Sequence, residues 1–413
     1  MNYNIINCSN GKEIRMWTKY APVEENAIKQ LMGVAELDCV GPAVCAMPDV
    51  HVGKGATVGS VIPFIGGVVP AAVGVDICCT ISFAKISATR ESLVGKEWEI
   101  YEELRKKIPN GRTNNGGIGD RGAWANIPEW VQLVWDMELS NGYNKLSKIR
   151  GLISKHTNSI NHLGTLGGGN HFCSISTDEN NDLWIMVHSG SRGIGARIGN
   201  HFMDIAKNIH KEHLNKLPSK DLAWIPSNTE DYENYLFCTE WCNRFARLSG
   251  GIMLNSAVKV LSSFIGSPVT IDKYHTCHHN FIKKEVHNGI EYDMVRKGAV
   301  SASTGEICII PGAMGKRSFV VEGLGNPDSF MSCSHGGGRI MTRTKAREVI
   351  TIEDHAKDTE GVFCGKDKSV VEESPAAYKN IDDVMRSQED LVNIRHTLKE
   401  FINIKGVEEE NRR

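Results

Sequence analysis

KGATVGSVIPFIGGVVPAAVGVDICCTISFAKI, residues 54–86, is the stretch whose reading decides the fold class. Residues 55–75 carry no charge and are long enough to cross a bilayer. They also hold five glycines and the prolines Pro63 and Pro70. Those breakers cut the stretch into short β-like runs, 54–64, 66–76 and 78–86, joined by tight turns, in place of one membrane helix. Outward from it, helical periodicity runs through 96–108, 128–149, 197–216 and 232–265, the last three rich in charge and aromatics and poor in glycine. Residues 217–231 (LPSKDLAWIPSNTED) read as an exposed connection between two helices. A second β-like region spans about 292–323, a closing helical stretch covers 381–402, and the tail VEEENRR (407–413) reads as frayed.

The chain has 413 residues and a net charge of −2, so no global basic field attracts nucleic acid; a polyanion would need a local basic patch. Twelve cysteines, no C-x-x-C pair and no signal-peptide pattern predict a reducing, cytoplasmic setting with thiols free or on metal. Glycine-histidine motifs are scattered over residues 47–338. They must converge to make one site, which argues for one domain over 1–406 with a helical scaffold at 205–265.

The costliest motif is SCSHGGGR (332–339). Three glycines after His335 remove the side chains that would crowd it and free backbone N–H groups to face an anion. This setting suits a nucleophile or an acid/base acting on phosphorus. In VGVDICC (73–79), Asp76 and Cys79 share no strand face, but a turn after Ile77 brings them onto one ion. His171 follows a glycine turn, His188 ends the strand-like LWIMVH, and His279 lies in CHHN. One carboxylate, one thiolate and three imidazoles exceed the four ligands of a tetrahedral ion; two ions sharing the thiolate would use all five. Softness favours zinc, while the carboxylate and open positions allow manganese.

Four glycine turns carry polar partners: 164–171, 188–195, 311–318 and 334–339. None is a Walker A loop or a dinucleotide fingerprint. Arg192 and Arg339 are fork-shaped cations suited to phosphate. Arg296 and Lys297 in RKGAVS are candidate contacts for an RNA backbone, or else a solvated charged face.

MPDVHVGKGATVGSVIP, PAAVGVDICC, HLGTLGGGNHF, WIMVHSGSRGIG, CHHN, RKGAVSA, IPGAMGKRSFVV, SCSHGGGR, AYKNIDDVM and a near-terminal KG together resemble the RtcB family of tRNA-splicing and RNA-repair ligases. The likeness runs from about residue 2 to Gly406 and is closest to the bacterial branch. It implies an α+β single domain, with mixed and antiparallel sheets around a central cleft surrounded by helices. It implies a ligase that uses GTP and two manganese ions. Such a ligase joins RNA ending in a 2′,3′-cyclic phosphate or 3′-phosphate to RNA with a 5′-hydroxyl. It also implies that His335 is guanylylated, that Asp76, Cys79 and His171 hold one manganese, and that Cys79, His188 and His279 hold the other. The nucleotide contacts it implies are Asn170, His171, Phe172, Cys173, Ser174, His279, Asn280, Pro311, Gly312, Ala313, Met314, Ser318, His335, Gly336, Gly337, Gly338, Tyr378 and Lys405. No obligatory protein partner is implied.

The chain departs from the family pattern inside three motifs. Cys78-Cys79-Thr80 replaces Gly-Cys-Gly, Ser174 replaces the glutamate of NHF-x-Glu, and Gly337 replaces the alanine of His-Gly-Ala-Gly-Arg. Ser174 removes a charge from the nucleotide pocket, and Gly337 loosens the His335 loop by about 0.5–1 kcal/mol. A paralogue with altered nucleotide handling fits these changes. The competing readings are a dinuclear metallo-phosphoesterase on RNA ends and an RNA-repair accessory with weakened turnover.

Overall fold

Four strands of one sheet end side by side, and that common end positions the site. The computed structural model describes residues 2–111, 122–153 and 159–406; the tail expected to fray lies outside them. The larger sheet runs in the order Ile271–His278, Thr80–Thr89, Asp182–Ser189, Phe172–Thr177, Val392–Lys405, Arg317–Gly323 and Ile307–Ile310. These pairs are antiparallel, and Phe363–Cys364 adds a parallel pairing to Val392–Lys405. Cys79 immediately precedes Thr80, His171 precedes Phe172, His188 lies near the end of Asp182–Ser189, and His279 follows His278. Registers of Thr80 with Ser189 and His278, and of Phe172 with His188, bring these four positions to one edge.

The smaller sheet has the order Asn4–Asn7, Glu13–Met16, Ala43–His51, Val58–Phe64, Ile290–Lys297 and Asn280–His287. The chain leaves the larger sheet at His278 and enters the smaller at Asn280, so His279 is the corner between them. Between Ala46 and His51 the pairing with Val58–Phe64 shifts register, and Asp49 lies inside that irregularity. Such bulges re-aim side chains beside functional sites. A two-strand ribbon, Ala299–Ser301 with Ser332–Ser334, delivers the chain to His335.

The helix Glu230–Ile265 is long and apolar enough to cross a membrane. It packs in the core: Met253, Leu254, Ala257 and Leu261 are buried against Ile175, Ile185 and Val187 on the back of the larger sheet. Thr229 caps its first turn by accepting from the Tyr232 N–H, and Gly266 ends it in the left-handed conformation.

The α+β class read from the sequence is the class observed. The helix expected over 96–108 is found at Glu97–Lys107, and that over 128–149 is two helices, Glu129–Glu138 and Ser140–Leu146, broken at Leu139. Four expectations are corrected. The run 66–76 forms a two-residue strand, Gly67–Val68, and then one helical turn, Pro70–Val73. The helix expected from 197 begins at Arg192, inside what reads as a glycine turn. The stretch 381–402 is helical only over Ile381–Arg386 and continues as the strand Val392–Lys405. Pairing to strands on both sides overrides the charge spacing that looks helical there. In the connection 217–231, Leu222, Ala223 and Ile225 are buried, and Ile225 pairs with Val68.

Candidate active site

The turn expected after Ile77 is present and rests on one residue. Cys78 takes φ +59°, and the Cys79 N–H donates to the Asp76 carbonyl at 3.3 Å. Asn280 ties the turn down: its carbonyl accepts from the Cys78 N–H at 2.6 Å and its Nδ2 donates to the Asp76 carbonyl at 3.1 Å. Cys78 points into the apolar core, with Sγ 3.3 Å from the Thr239 carbonyl, so the thiol at the site is that of Cys79.

Five donor side chains converge as two groups sharing Cys79: Asp76, Cys79 and His171, and Cys79, His188 and His279. Within each group the ligand atoms lie within 4.8 Å of one another. Cys79 Sγ is 3.1 Å from His188 Nε2 and 3.4 Å from His171 Nε2. His188 Nε2 is 3.1 Å from His279 Nε2, and His171 Nε2 is 3.4 Å from Asp76 Oδ2. His171 donates its Nδ1 proton to the Leu166 carbonyl at 3.0 Å, which leaves Nε2 as a lone pair. Burial pushes His188 and His279 well down, so both imidazoles are neutral, and His279 Nδ1 has no partner. Burial, and then the Asp76 carboxylate, push the Cys79 thiol well up; a cation beside it is what makes such a thiol a ligand. Several acceptors facing one another with few protons among them fit metal ions.

His335 lies beside this cluster, its ring centroid 4.9 Å from that of His279. Its Nδ1–H donates to Asp49 Oδ2 at 2.6 Å, and its backbone N–H donates to the same oxygen at 3.1 Å. Asp49 is fully buried and held by its neighbours: Lys379 Nζ donates to the carbonyls of Pro48 and Val50 at 2.9 and 2.7 Å. The aspartate thus fixes one tautomer, with Nε2 unprotonated. Gly338 has φ +71°, and a Cβ there would lie 2.3 Å from the Asp49 carbonyl oxygen. Gly337 is different: a Cβ would meet nothing nearer than 3.8 Å and its φ is ordinary.

A cavity of about 730 Å³ opens over both features. Its wall includes Asp76, Cys79, Asn170, Phe172, His188, His279, Asn280, Pro311, Gly312, Ala313, Met314, Ser318, His335, Gly336, Gly337, Gly338, Tyr378 and Lys405. His171 stands behind the wall in the donor cluster. Two expected nucleotide contacts are placed elsewhere. Cys173 faces the apolar cluster with Ile175 and Val187, and Ser174 is fully buried and off the wall. Asp49, Lys54, Arg343, Glu373, Glu400 and Asn403 were not singled out from the sequence; all but Asp49 line the cavity. The readable signal was a lone acid in an otherwise apolar strand, as for Asp49 in AVCAMPDVH.

The arginines read as phosphate forks have other partners. Arg339 donates to Glu373 at 3.3 Å, to the Tyr378 hydroxyl at 3.0 Å, and to the carbonyls of Glu372 and Met341. Arg192 donates to Thr165 Oγ1 at 3.1 Å and to the Gly111 carbonyl. Arg296 is fully buried and forms a two-pronged pair with Glu285 at 2.7 and 2.9 Å, so it is no RNA contact. Lys297 Nζ donates to the Ala71 carbonyl at 3.0 Å and to that of Lys54, and burial brings its pKa down to about 7.

Comparison with known proteins agrees with this geometry. The family described as tRNA-splicing ligase RtcB matches residues 30–406. The chain is 44% identical over 411 residues to the RNA-splicing ligase RtcB of Escherichia coli, covering 98% of this chain and all of that protein. It is 28% identical to the tRNA-splicing ligase RtcB of Methanococcus maripaludis, over 88% of this chain and 87% of the other. A near-complete family match, with the histidine-cysteine motifs meeting at one cavity, establishes that this chain belongs to the RtcB family of RNA ligases.

Proposed function

We propose that this RNA ligase joins a 3′-phosphate or 2′,3′-cyclic phosphate end to a 5′-hydroxyl end, with GTP as energy source and His335 as the carrier of the guanylate. The observation that carries the reading is the hydrogen bond from His335 Nδ1 to buried Asp49, which leaves Nε2 as the nucleophile at the cavity. Nε2 attacks the α-phosphorus of GTP: a P–N bond forms, the P–O bond to the β-phosphate breaks, and pyrophosphate leaves. The proton stays on Nδ1, and the Asp49 carboxylate offsets the positive charge the ring acquires. A 2′,3′-cyclic end is first opened by water: a new P–O bond forms at phosphorus, the bond to O2′ breaks, and O2′ takes a proton. An oxygen of the RNA 3′-phosphate then takes the guanylate from nitrogen, since the P–N bond is labile. The 5′-hydroxyl oxygen of the second RNA displaces GMP, losing its proton as the new phosphodiester forms.

Asp76, Cys79 and His171 would hold one divalent cation and Cys79, His188 and His279 the other, with manganese the proposed metal. Bound there, the cations supply charge neutralisation at phosphate. Asn280 holds the turn that shapes the first group. The Gly312 N–H points to Ser318 Oγ at 3.2 Å, which holds the Pro311–Met314 loop against the cavity. The proposed setting is the cytoplasm, in keeping with twelve unpaired cysteines.

The test is ligation of end-labelled RNA halves with GTP and, in parallel, manganese, zinc, cobalt or magnesium. GTP-dependent joining that is greatest with manganese is expected. Opening or removal of the terminal phosphate without GTP and without joining would favour the phosphoesterase reading.

A further inference from the structure

The floor of the cavity carries an acid that the mechanism above does not use. On the strand Phe172–Thr177, Phe172, Ser174 and Ser176 share one face; on the neighbouring Val392–Lys405 they stand opposite Lys405, Asn403 and Glu400. Glu400, Asn403 and Lys405 line the cavity, whereas Ser174 lies under them, fully buried with its Oγ unpartnered. Asn403 is 3% exposed and its Oδ1 has no partner, while its Nδ2 donates to Glu400 Oε2 at 2.8 Å. Glu400 Oε1 accepts from the Gly315 N–H at 2.6 Å. No cation lies within ion-pair distance of Glu400 among the described residues, although the residue is only 8% exposed. Burial pushes that carboxyl up, a penalty that N–H donors from a bound ligand would offset.

Of the other acids on the wall, Asp76 belongs to the donor cluster, and Glu373 is already engaged by Arg339, Arg343, Lys405 and the Tyr378 hydroxyl. Glu400 keeps open lone pairs. From Glu400 through Asn403 to Lys405 the floor presents acceptor, acceptor and donor. That order complements the guanine edge, with its 2-amino group, N1–H and O6, and mismatches adenine, whose N1 accepts and whose 6-amino group donates. The loop 311–315 spans the distance between the two chemistries. Its Pro311 carbonyl lies 3.3 Å from where a Cβ of Gly336 would stand, next to His335, and its Gly315 bonds Glu400. Four residue steps separate these points, at most ~14 Å of chain, a reach that a mononucleotide matches.

We propose that Glu400, positioned by Asn403 and Gly315, is the residue that selects guanine, doing from the Val392–Lys405 strand what an acid at position 174 would do from its neighbour. This rests on the reading of GTP as the nucleotide, and the test separates the two. GTP and ATP binding, each with manganese, is measured by calorimetry on His335→Ala protein and on the same protein carrying Glu400→Gln or Glu400→Asp. Glutamine keeps a carbonyl for the Gly315 N–H, so the loop stays anchored. The expected result is GTP affinity at least tenfold weaker in Glu400→Gln with ATP affinity unchanged, a GTP preference in Glu400→Asp between that of the parent and of Glu400→Gln, and equal melting temperatures. A GTP-to-ATP ratio equal to the parent's, or parallel loss of both nucleotides, overturns the role of Glu400. Failure of His335 to take label from GTP in otherwise native protein, with the selective loss still seen, removes the guanylylation reading and leaves this one standing.

Discussion

Two buried polar clusters in this chain are built on opposite plans. Around Arg296, Nε donates to Ser332 Oγ at 2.9 Å, two nitrogens grip Glu285, and one also reaches the Phe330 carbonyl at 3.0 Å. His287 adds a contact to the same carboxylate at 3.0 Å. Around Cys79, acceptors face acceptors: two imidazole Nε2 atoms 3.1 Å apart, a thiol, a carboxylate oxygen, and an orphan Nδ1 on His279. Arg296 and Glu285 stand on neighbouring strands of the smaller sheet beside the ribbon that carries Ser332, whereas the Cys79 cluster lies at the corner between the two sheets and opens on the cavity through Asp76. A saturated cluster is finished by the fold, whereas an unsaturated one is shaped for something the chain does not contain. Sequence cannot separate the two plans, because arginine beside lysine reads the same whether it meets a glutamate or an RNA.

Changes to each cluster should therefore fail in different ways. Cys79→Ala removes the atom common to both donor groups. Ligation should fall by ~10³ or more and manganese content, read by elemental mass spectrometry, should drop from two ions per chain. A variant that keeps both ions would break the contrast. Asp49→Asn keeps the shape of the His335 support but removes its charge. Nucleotidyl transfer should fall by roughly 10²–10⁴ with manganese content and melting temperature unchanged, since the loss lies in tautomer and ring charge alone. Arg296→Ala should do the reverse. Leaving the half-buried Glu285 with only His287 beside it costs at most about 3–5 kcal/mol, visible as a lower urea midpoint, while the protein that remains folded binds metal normally.

The smallest effect concerns the loop of His335. Position 338 needs glycine because of its φ and its 2.3 Å approach to Asp49, but position 337 does not. Gly337→Ala should raise stability by about 0.4–1 kcal/mol, through a less flexible unfolded chain, seen as a higher melting temperature with transfer retained. A loss of stability would mean that the loop needs freedom at 337 that its space and φ do not indicate.

The comparison also explains what could be read before the fold was seen. Cys79, His171, His188 and His279 were legible because each sits at a strand end marked by glycine or by a change of periodicity, and strand ends are where a sheet collects side chains. Asp49 was less so: the lone acid of an otherwise apolar strand is its one mark in the sequence, and the bulge that aims it at His335 leaves little trace in composition. Glu400 was hidden by the misreading of 381–402, and Asn403 lies one residue past it: with helix up to 402, the face that both share with Lys405 on one strand does not exist. Arg296 and Arg339 were misjudged for the reason given above, that a cation's partner is a tertiary fact.

The most direct test of the account is the location of the nucleotide on the protein. Protein incubated with GTP and manganese, digested at neutral to alkaline pH and sequenced by tandem mass spectrometry, should carry one GMP on the peptide containing SCSHGGGR, at His335, absent in His335→Ala and halted at low level in Asp49→Asn. Ligation proceeding with no adduct, or with GMP on another side chain, would contradict it.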